Sequence, residues 1–515
     1  MQEIEQRVKE QQKHSQSRFM KILNIIESIG NRIPHPFMLF IYLSLFVIFL
    51  SWIVGSNDVK VVHPGTGEVL PIKSLVSNEG LHYILTSVLE NFAGFTPLGL
   101  VLAMMLGVGL ADKIGLFEIA IKTAFLKVPK PIVTYVVIFT ATLANITAAA
   151  AYVIVPPLAA MIFKSFGRHP IAGLAAGIAG VGCGYTANLA ITGDDALLSG
   201  ISTEVAQTIV PGIIVTPVDN WFFMVVSVFV LTIVGVFVTE KIIEPRLGTY
   251  HDEENSSIQE KISLLEKKAL RNSGVSALLY IGFILLILFI PNSPLRNEEG
   301  GLLPSLFLEG IIPIIILFFV VTAVTYGVTL KRIRNWGDVA KYMTEAVKDM
   351  SGFIVLVFVI AQFIAYLKWS NLATWMAVSG AEFLKQIHLD GFPAVIMFVF
   401  ITTIVSLLIT SGSALWSVLA PIFIPMLMLL NFHPAFIQVA YRIADSSTNM
   451  ITPLNPYVAI MLGFLIKYDK KAGLGTHISL ILPYTIAFLI VWIILLCIFA
   501  FLGIPIGPGV DMYLK

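Results

Sequence analysis

The chain has 515 residues, of which 57% are hydrophobic and 13% are charged. Because about a quarter of the residues in a soluble domain are charged, this composition excludes a soluble enzyme and indicates many membrane-spanning helices of about 20 apolar residues each. The formal net charge is only +1, so no global field attracts nucleic acid. The two cysteines, Cys183 and Cys497, lie in apolar stretches and favour neither a disulfide framework nor a metal cluster.

The chain begins with a polar arm, residues 1–35, that lacks the apolar stretch of a signal peptide. We therefore expect the first apolar segment to remain in place as a membrane span. The arm is followed by a first span with an extracytoplasmic loop at 36–80 and by a first repeat at 81–208. Residues 209–348 form linking spans and include a cytoplasmic loop at 240–272. A second repeat at 349–466 and a last span with the C-terminus at 477–515 complete the chain.

Two apolar segments have charge-free interiors and carry small or polar residues at their centres, NITAAAA at 145–151 and TSGSA at 410–414. Divided there, each half is about 15 to 19 residues long, which is marginal for a helix that crosses the hydrocarbon core. Two ordinary long spans remain the alternative. We predict two re-entrant helical hairpins, at residues 131–165 and 393–431, whose tips lie inside the protein.

Basic residues near the span ends predict the orientation, since cytoplasmic loops are enriched in Lys and Arg. They concentrate in the N-terminal arm, in residues 240–272 and in residues 331–348. With two hairpins, nine crossings place all three regions in the cytoplasm. The sequence therefore predicts an all-α, multi-pass protein of the inner (plasma) membrane with a cytoplasmic N-terminus.

The two predicted repeats share a proline that is followed twelve residues later by a His-Pro pair. The matching residues are Pro157 with His169-Pro170 and Pro421 with His433-Pro434. In the predicted topology the two hairpins enter from opposite sides, so the repeats are inverted. Inverted repeats with broken helices are typical of secondary transporters, whose substrate site lies near the membrane midplane at the repeat interface.

The second repeat contains YRIADSSTNMITPLNPY from residue 441, in which Arg442 and Asp445 share one face of a helix and can be partners. Charges at this depth are costly and usually face a cavity, although a buried pair that holds two helices together is the alternative. The first repeat has GCGYTANLAITGDDALL from residue 182. There we expect one of Asp194 and Asp195 to line the site, with a solvated loop end as the alternative for Asp194. Trp416 is interpreted either as a stacking surface for an aromatic substrate or as packing.

The segments TGDDALLSGISTEVA, TSGSALWSVLAPIF and HPAFIQVAYRIADSSTNMITPLNPY together resemble the AbgT family of p-aminobenzoyl-glutamate transporters, over nearly the whole chain. The resemblance implies a homodimer of nine spans and two opposed hairpins. It also implies ion-coupled transport of p-aminobenzoyl-glutamate or related folate metabolites, or export of sulfonamide antimetabolites. The positions that match the family's transport residues are Asp195, Ser413, Trp416, Pro434, Arg442, Asp445 and Pro453.

Combined with the residue types, these matches predict a role for each group. The predicted substrate-binding residues are Arg442, Trp416, Ser413, Asn449 and Asn188. The predicted ion-coupling residues are Asp445, Asp195 and Thr186, and a sodium ion is predicted near Ser446, Thr448, Asn145 and Thr147. Pro434 and Pro453 are predicted to break helices. No cofactor is expected beyond a coupling ion, either sodium or a proton.

The sequence supports other functional classes less well. The sequence has no HExxH or Walker motif. An intramembrane aspartyl protease needs two carboxylates that share a proton, whereas Asp195 and Asp445 lie in segments whose partner residues are Arg and amides. An inverted repeat with a central Arg and Asp suits a carrier better than a channel. Within carriers, a generic sodium/dicarboxylate symporter remains the alternative. The direction of transport stays open.

Overall fold

The computed structural model describes residues 34–514, apart from residues 65, 127, 148, 249, 251–261, 298–299 and 303–304. Nearly all of the predicted N-terminal arm therefore lies outside the described residues. So does the centre of the predicted loop at 240–272.

The first half of the described chain consists of helices and one small antiparallel β-hairpin, in which Lys60 is opposite Pro71. The elements are α1 (Pro36–Gly55), β1 (Lys60–Val62), β2 (Val69–Pro71), α2 (Asn78–Ala93), α3 (Thr96–Lys113), α4 (Leu116–Leu126), α5 (Val133–Leu143), α6 (Ala149–Ser165), α7 (Pro170–Ile178) and α8 (Gly193–Ala206).

The second half is helical in all its named elements. They are α9 (Trp221–Val238), α10 (Glu244–Leu247), α11 (Leu264–Phe289), α12 (Leu306–Glu309), α13 (Ile311–Thr329), α14 (Trp336–Asp349), α15 (Ser351–Trp369), α16 (Leu372–Gln386), α17 (Phe392–Ser406), α18 (Gly412–Met428), α19 (Pro434–Thr448), α20 (Pro456–Ile466) and α21 (Leu474–Leu502).

Helix occupies both ends of the predicted cytoplasmic loop. A π-helical turn, Thr239–Ile243, joins α9 directly to α10, and α11 begins at Leu264. The start of α11 is fixed by a capping box, in which Ser263 and Glu266 each satisfy a backbone N–H of the other. The described ends of residues 240–272 are therefore helical, and the bounds of the cytoplasmic loop stay a prediction.

Within the described residues, eight helical runs are long and apolar enough to cross a membrane. The third of these, Lys130–Thr147, reaches its 18 residues only by including the turns on either side of α5. The shorter apolar helices include α17 and α18. The protein is therefore a multi-pass membrane protein, whereas the number of nine crossings remains a prediction.

Both predicted hairpins are interrupted near their centres. A 3₁₀ turn, Ala144–Thr147, separates α5 from α6, and non-helical residues 407–411 separate α17 from α18. The longest of these four helices has 17 residues, about 26 Å at 1.5 Å per residue, against a hydrocarbon core of about 30 Å. Each helix is thus shorter than a perpendicular crossing requires.

The two His-Pro pairs begin equivalent helices. His169 and His433 are N-caps, and each ring nitrogen accepts the backbone N–H two residues later at 3.2 Å. Pro170 and Pro434 occupy the first turn, where the missing N–H costs nothing. Pro434 therefore starts a helix and does not break one as predicted, whereas Pro453 lies in the interruption between α19 and α20.

The two repeats pack into each other. α18, from the second predicted hairpin, packs on α8 at the end of the first repeat. α6, from the first predicted hairpin, contacts α20 at the end of the second repeat. Their apolar side chains belong to one large buried cluster, while α3, α11 and α13 build a second cluster around Phe319 and Tyr326. The interruptions of both repeats consequently face a common interior.

Candidate functional site

A cavity of about 310 Å³ lies where the two repeats meet. Its wall is formed by α6, α8, α19 and the start of α20, together with the interruptions that follow α7, precede α18 and follow α19. The volume falls at the lower end of the range for small-molecule sites, about 300 to 1,000 Å³. Since both repeats contribute to the wall, this cavity is the candidate functional site.

Four tyrosines give the cavity its aromatic character: Tyr152, Tyr185, Tyr441 and Tyr457. The rings of Tyr152 and Tyr457 are stacked, with centroids 4.1 Å apart and planes inclined by 3°. Tyr441 donates a hydrogen bond from its hydroxyl to the carbonyl of Gly412 at 2.6 Å, which fixes that ring against the tip of the second hairpin. A flat aromatic ligand therefore finds ring faces and edges on several sides.

Two carboxylates, Asp194 and Asp445, also line the cavity, whereas no lysine, arginine or histidine is found in the described part of the lining. Tyr185 donates a hydrogen bond to Asp194 at 2.5 Å. Asp445 packs against Gly412, where an added Cβ would lie 2.9 Å from its Oδ2. The absence of a side chain at Gly412 lets the carboxylate reach the hairpin tip.

Two helices begin at the cavity wall, α18 and α20. Ser411 caps α18 and Asn455 caps α20, and both residues line the cavity together with Ser413 and Tyr457. The first N–H groups of a helix lack intrahelical partners and carry the positive end of its dipole. The N-terminus of α18 is therefore suited to bind an anionic group of a ligand. At α20 only the dipole contributes, because Pro456 has no N–H and the N–H groups of Tyr457 and Val458 donate to Asn455.

A buried ion pair lies behind the wall. Arg442, which is 1% exposed, donates from Nη2 to Oδ1 of Asp195 at 2.5 Å, and it also reaches the carbonyl of Thr186 and Oδ1 of Asn220. The other oxygen of Asp195 accepts the backbone N–H and the hydroxyl of Thr192, both at 2.7 Å, in a capping box at the start of α8. The pair thus fixes α19 to the N-terminus of α8.

This pairing differs from the sequence prediction in two ways. Arg442 pairs with Asp195 from the other repeat and not with Asp445 on its own helix, because the capping geometry directs the Asp195 carboxylate to the guanidinium. In addition, Arg442 does not belong to the described lining, so it is not positioned to donate directly to a ligand. Asp195 is likewise placed to hold Arg442 and not to face the cavity.

Trp416 and Asn188, also predicted to bind substrate, lie outside the described lining. Trp416 is 0% exposed, and its Nε1–H points to the carbonyl of Leu198 and the hydroxyl of Ser202. One side of its ring is covered by Tyr441, with ring centroids 4.5 Å apart. Trp416 therefore supports the wall from behind, and Tyr441 presents the aromatic surface.

A chain of polar contacts connects Trp416 with Arg442. Ser202 donates to Gln438 at 2.6 Å, Gln438 donates to Oδ1 of Asn220 at 2.9 Å, and Arg442 shares that same oxygen at 3.4 Å. All five side chains are buried. Because every member joins two helices, the network holds α8, α9, α18 and α19 in a fixed arrangement around the site.

The residues predicted near a sodium ion have separate partners. Ser446 shares a hydrogen bond with Thr186 at 2.7 Å, and Thr448 shares one with Ser406 at 2.6 Å. These contacts fix α19 to the interruption after α7 and to the end of α17.

At the tip of the first hairpin, Thr147 donates to the carbonyl of Ala144, and Asn145 donates to the carbonyls of Thr142 and Gly184. The Oδ1 atom of Asn145 is buried and has no hydrogen-bond partner within the described protein. This oxygen is therefore an acceptor that a cation could use.

The predicted site residues found in the lining are Ser413, Asn449, Asp445 and Thr186. The four tyrosines, Asn455 and residues 410–412 also line the cavity, but they are not among the predicted substrate-binding or ion-coupling residues. Part of this was recognisable, because three of the tyrosines stand inside the helix-break motifs GYTAN, YRIAD and NPY.

Known proteins resemble this chain over nearly its full length. The model of the AbgT putative transporter family matches residues 21–514. The p-aminobenzoyl-glutamate transport protein of Escherichia coli (strain K12) is 45% identical over 497 residues, which cover 96% of this chain and 98% of that protein.

Two solved structures have the same fold. The Alcanivorax borkumensis YdaH transporter aligns with a TM-score of 0.87 at 37% identity and covers 92% of this chain and 100% of its own. The Neisseria gonorrhoeae MtrF structure, which illuminates a class of antimetabolite efflux pumps, aligns with a TM-score of 0.88 at 40% identity, with coverages of 95% and 100%. The chain therefore belongs to the AbgT family, and it is a membrane transporter and not an enzyme.

Proposed function

We propose that this protein is an ion-coupled secondary transporter of p-aminobenzoyl-glutamate and related 4-aminophenyl compounds, sulfonamides included. The observation that carries the proposal is the cavity between the two repeats, which combines four tyrosines with the N-terminus of α18. The similarity to the E. coli protein and to MtrF supports the choice of substrate.

The parts of p-aminobenzoyl-glutamate match different parts of the wall. Its aromatic ring fits among the tyrosines, while a carboxylate fits the N-terminus of α18, where Ser411 and Ser413 add hydroxyl groups. Asn449 also lines the cavity, and because Asn455 donates to its Oδ1, it would meet the amide of the ligand as a donor through its Nδ2. In this arrangement Arg442 acts from behind the wall, as the charge that positions α19.

Ion coupling follows from the charge of the lining. An anionic substrate next to Asp445 is repelled unless the carboxylate is neutralised, and a sodium ion or a proton neutralises it. We therefore assign the coupling role to Asp445, with Thr186 beside it, and leave the identity of the cation to the transport assay. Asn145 offers a second oxygen, at the tip of the first hairpin.

For the membrane arrangement we propose nine crossings, two opposed re-entrant hairpins at 131–165 and 393–431, and a cytoplasmic N-terminus in the inner (plasma) membrane. The short helices on both sides of each interruption support the hairpins. The segments are those expected from the sequence, from the arm at 1–35 to the last span at 477–515. We also propose a homodimer.

Cysteine labelling tests this topology. In a cysteine-free background, a cysteine at Val69 is expected to react with a membrane-impermeant maleimide only from outside, and one at Lys331 only from the cytoplasm. Lys130 and Ser165, at the two ends of the first hairpin, are both exposed and are expected to react from the cytoplasmic side. Labelling of these two positions from opposite sides would show that the segment is a span.

Transport itself is tested in proteoliposomes. We expect saturable counterflow of labelled p-aminobenzoyl-glutamate, inhibited by sulfonamides more strongly than by succinate, and net accumulation only with a sodium or a proton gradient. Applying each gradient in turn, in both orientations, identifies the ion and the direction. Succinate as the better competitor would instead favour a dicarboxylate symporter, and the absence of saturable flux would refute the proposal.

A further inference from the structure

Asp194 is a cavity residue to which neither the ion pair nor the coupling site assigns a role. It is the second residue of α8, next to Asp195, and an acidic side chain in the first turn favours any helix. That stabilisation does not require a place in the cavity wall. Asp194 nevertheless lines the cavity, while Asp195 makes the capping box and holds Arg442.

The side chain of Asp194 is held in place but retains the capacity to bind a ligand. Tyr185, which also lines the cavity, donates one hydrogen bond to its Oδ2 at 2.5 Å. An ionised carboxylate has about four acceptor positions on its two oxygens. A ligand atom that donates a hydrogen bond therefore finds an oriented acceptor here.

The surrounding charges determine which group of a ligand this acceptor takes. Basic side chains are absent from the described lining, so a ligand carboxylate next to Asp194 would be repelled without compensation. The N-terminus of α18, at the second repeat, provides a place for a carboxylate. The opposite pole of the ligand, a neutral group rich in N–H donors, then belongs at Asp194.

Ligands of the proposed function carry such a group. A primary aromatic amine para to a carbonyl or sulfonyl substituent is neutral at pH 7, because the ring withdraws the nitrogen lone pair, and it presents two N–H donors. We propose that Asp194, oriented by Tyr185, accepts a hydrogen bond from this amine and thereby selects 4-aminophenyl ligands over phenyl ligands. This inference rests on the proposed function and adds the group that the site recognises.

Two ligands that differ only in the amine, p-aminobenzoyl-glutamate and benzoyl-glutamate, test the inference through their inhibition constants in counterflow. A hydrogen bond to a charged group corresponds to about tenfold to 100-fold in affinity. We expect the wild type to prefer the amine-bearing ligand by at least about tenfold. In Asp194→Ala the preference should fall below about twofold, because the variant cannot accept the hydrogen bond from the amine.

Two further variants complete the design. Asp194→Asn keeps the shape of the side chain and a neutral acceptor, so its preference should lie between those of the wild type and Asp194→Ala. Glu204→Gln is the matched control, since Glu204 is also on α8 but contacts Lys368 and Thr96 instead of the cavity. It should keep the full preference.

The outcomes separate the two proposals. A wild type that binds both ligands equally, or an Asp194→Ala variant that keeps the preference, would refute the assignment of Asp194 and leave the proposed function standing. A wild type that binds neither ligand would overturn both.

Discussion

Replacing Arg442 with methionine is expected to destabilise the folded protein by about 3 to 5 kcal/mol and to abolish transport. The reason is that Asp195 would remain as an uncompensated charge, 4% exposed, among apolar helices. Its capping bonds from Thr192 satisfy only one of the two carboxylate oxygens. The measurement is thermal unfolding of the purified protein in detergent, together with counterflow in proteoliposomes.

The double variant Arg442→Met/Asp195→Asn distinguishes this reason from a simple loss of packing. It removes both charges while an amide oxygen remains to cap α8, so most of the lost stability should return. Lys73→Met serves as the control, because it breaks an exposed pair with Glu79 of 3.0 Å, and such pairs contribute less than about 1 kcal/mol. A double variant no more stable than Arg442→Met would contradict the argument.

The sequence predicted the local features of the site well because they depend on neighbouring residues. Small and polar residues mark the interruptions, and the structure ends α5 at Leu143 and begins α18 at Gly412, close to the predicted centres. The His-Pro pairs likewise stand at the beginnings of equivalent helices. Capping and helix interruption are set within a few residues of the chain, so a single sequence contains most of the required information.

Long-range partners were beyond such reasoning. The i, i+3 spacing suggested that Arg442 pairs with Asp445, but its partner Asp195 is 247 residues away in the chain. Only the packing of one repeat against the other decides that choice. The same packing buries Trp416 and places Tyr441 in front of it, a difference that the residue types alone do not reveal.

The residues of the cavity lining also determine which positive charge can neutralise an anionic substrate. From the sequence, Arg442 is the natural counterion. In the structure its charge is matched by Asp195, and the carboxylates that face the cavity are Asp194 and Asp445. On the proposed function, we expect an anion to bind this lining together with a cation from solution, because the cation offsets the repulsion from the cavity carboxylates.

Asp445→Asn is accordingly expected to lower gradient-driven accumulation at least tenfold while counterflow of p-aminobenzoyl-glutamate continues. The substitution keeps the side chain's shape against Gly412 but removes the charge that a sodium ion or a proton would neutralise. Asp194→Asn is the matched comparison, since it removes the other cavity carboxylate. At saturating ligand it should still support accumulation, because its role is recognition and not coupling. Asp445 would be excluded as the coupling residue if Asp445→Asn retained accumulation, or if both variants lost it equally. The ion would then bind elsewhere, and Asn145, at the tip of the first predicted hairpin, would be the next position to test.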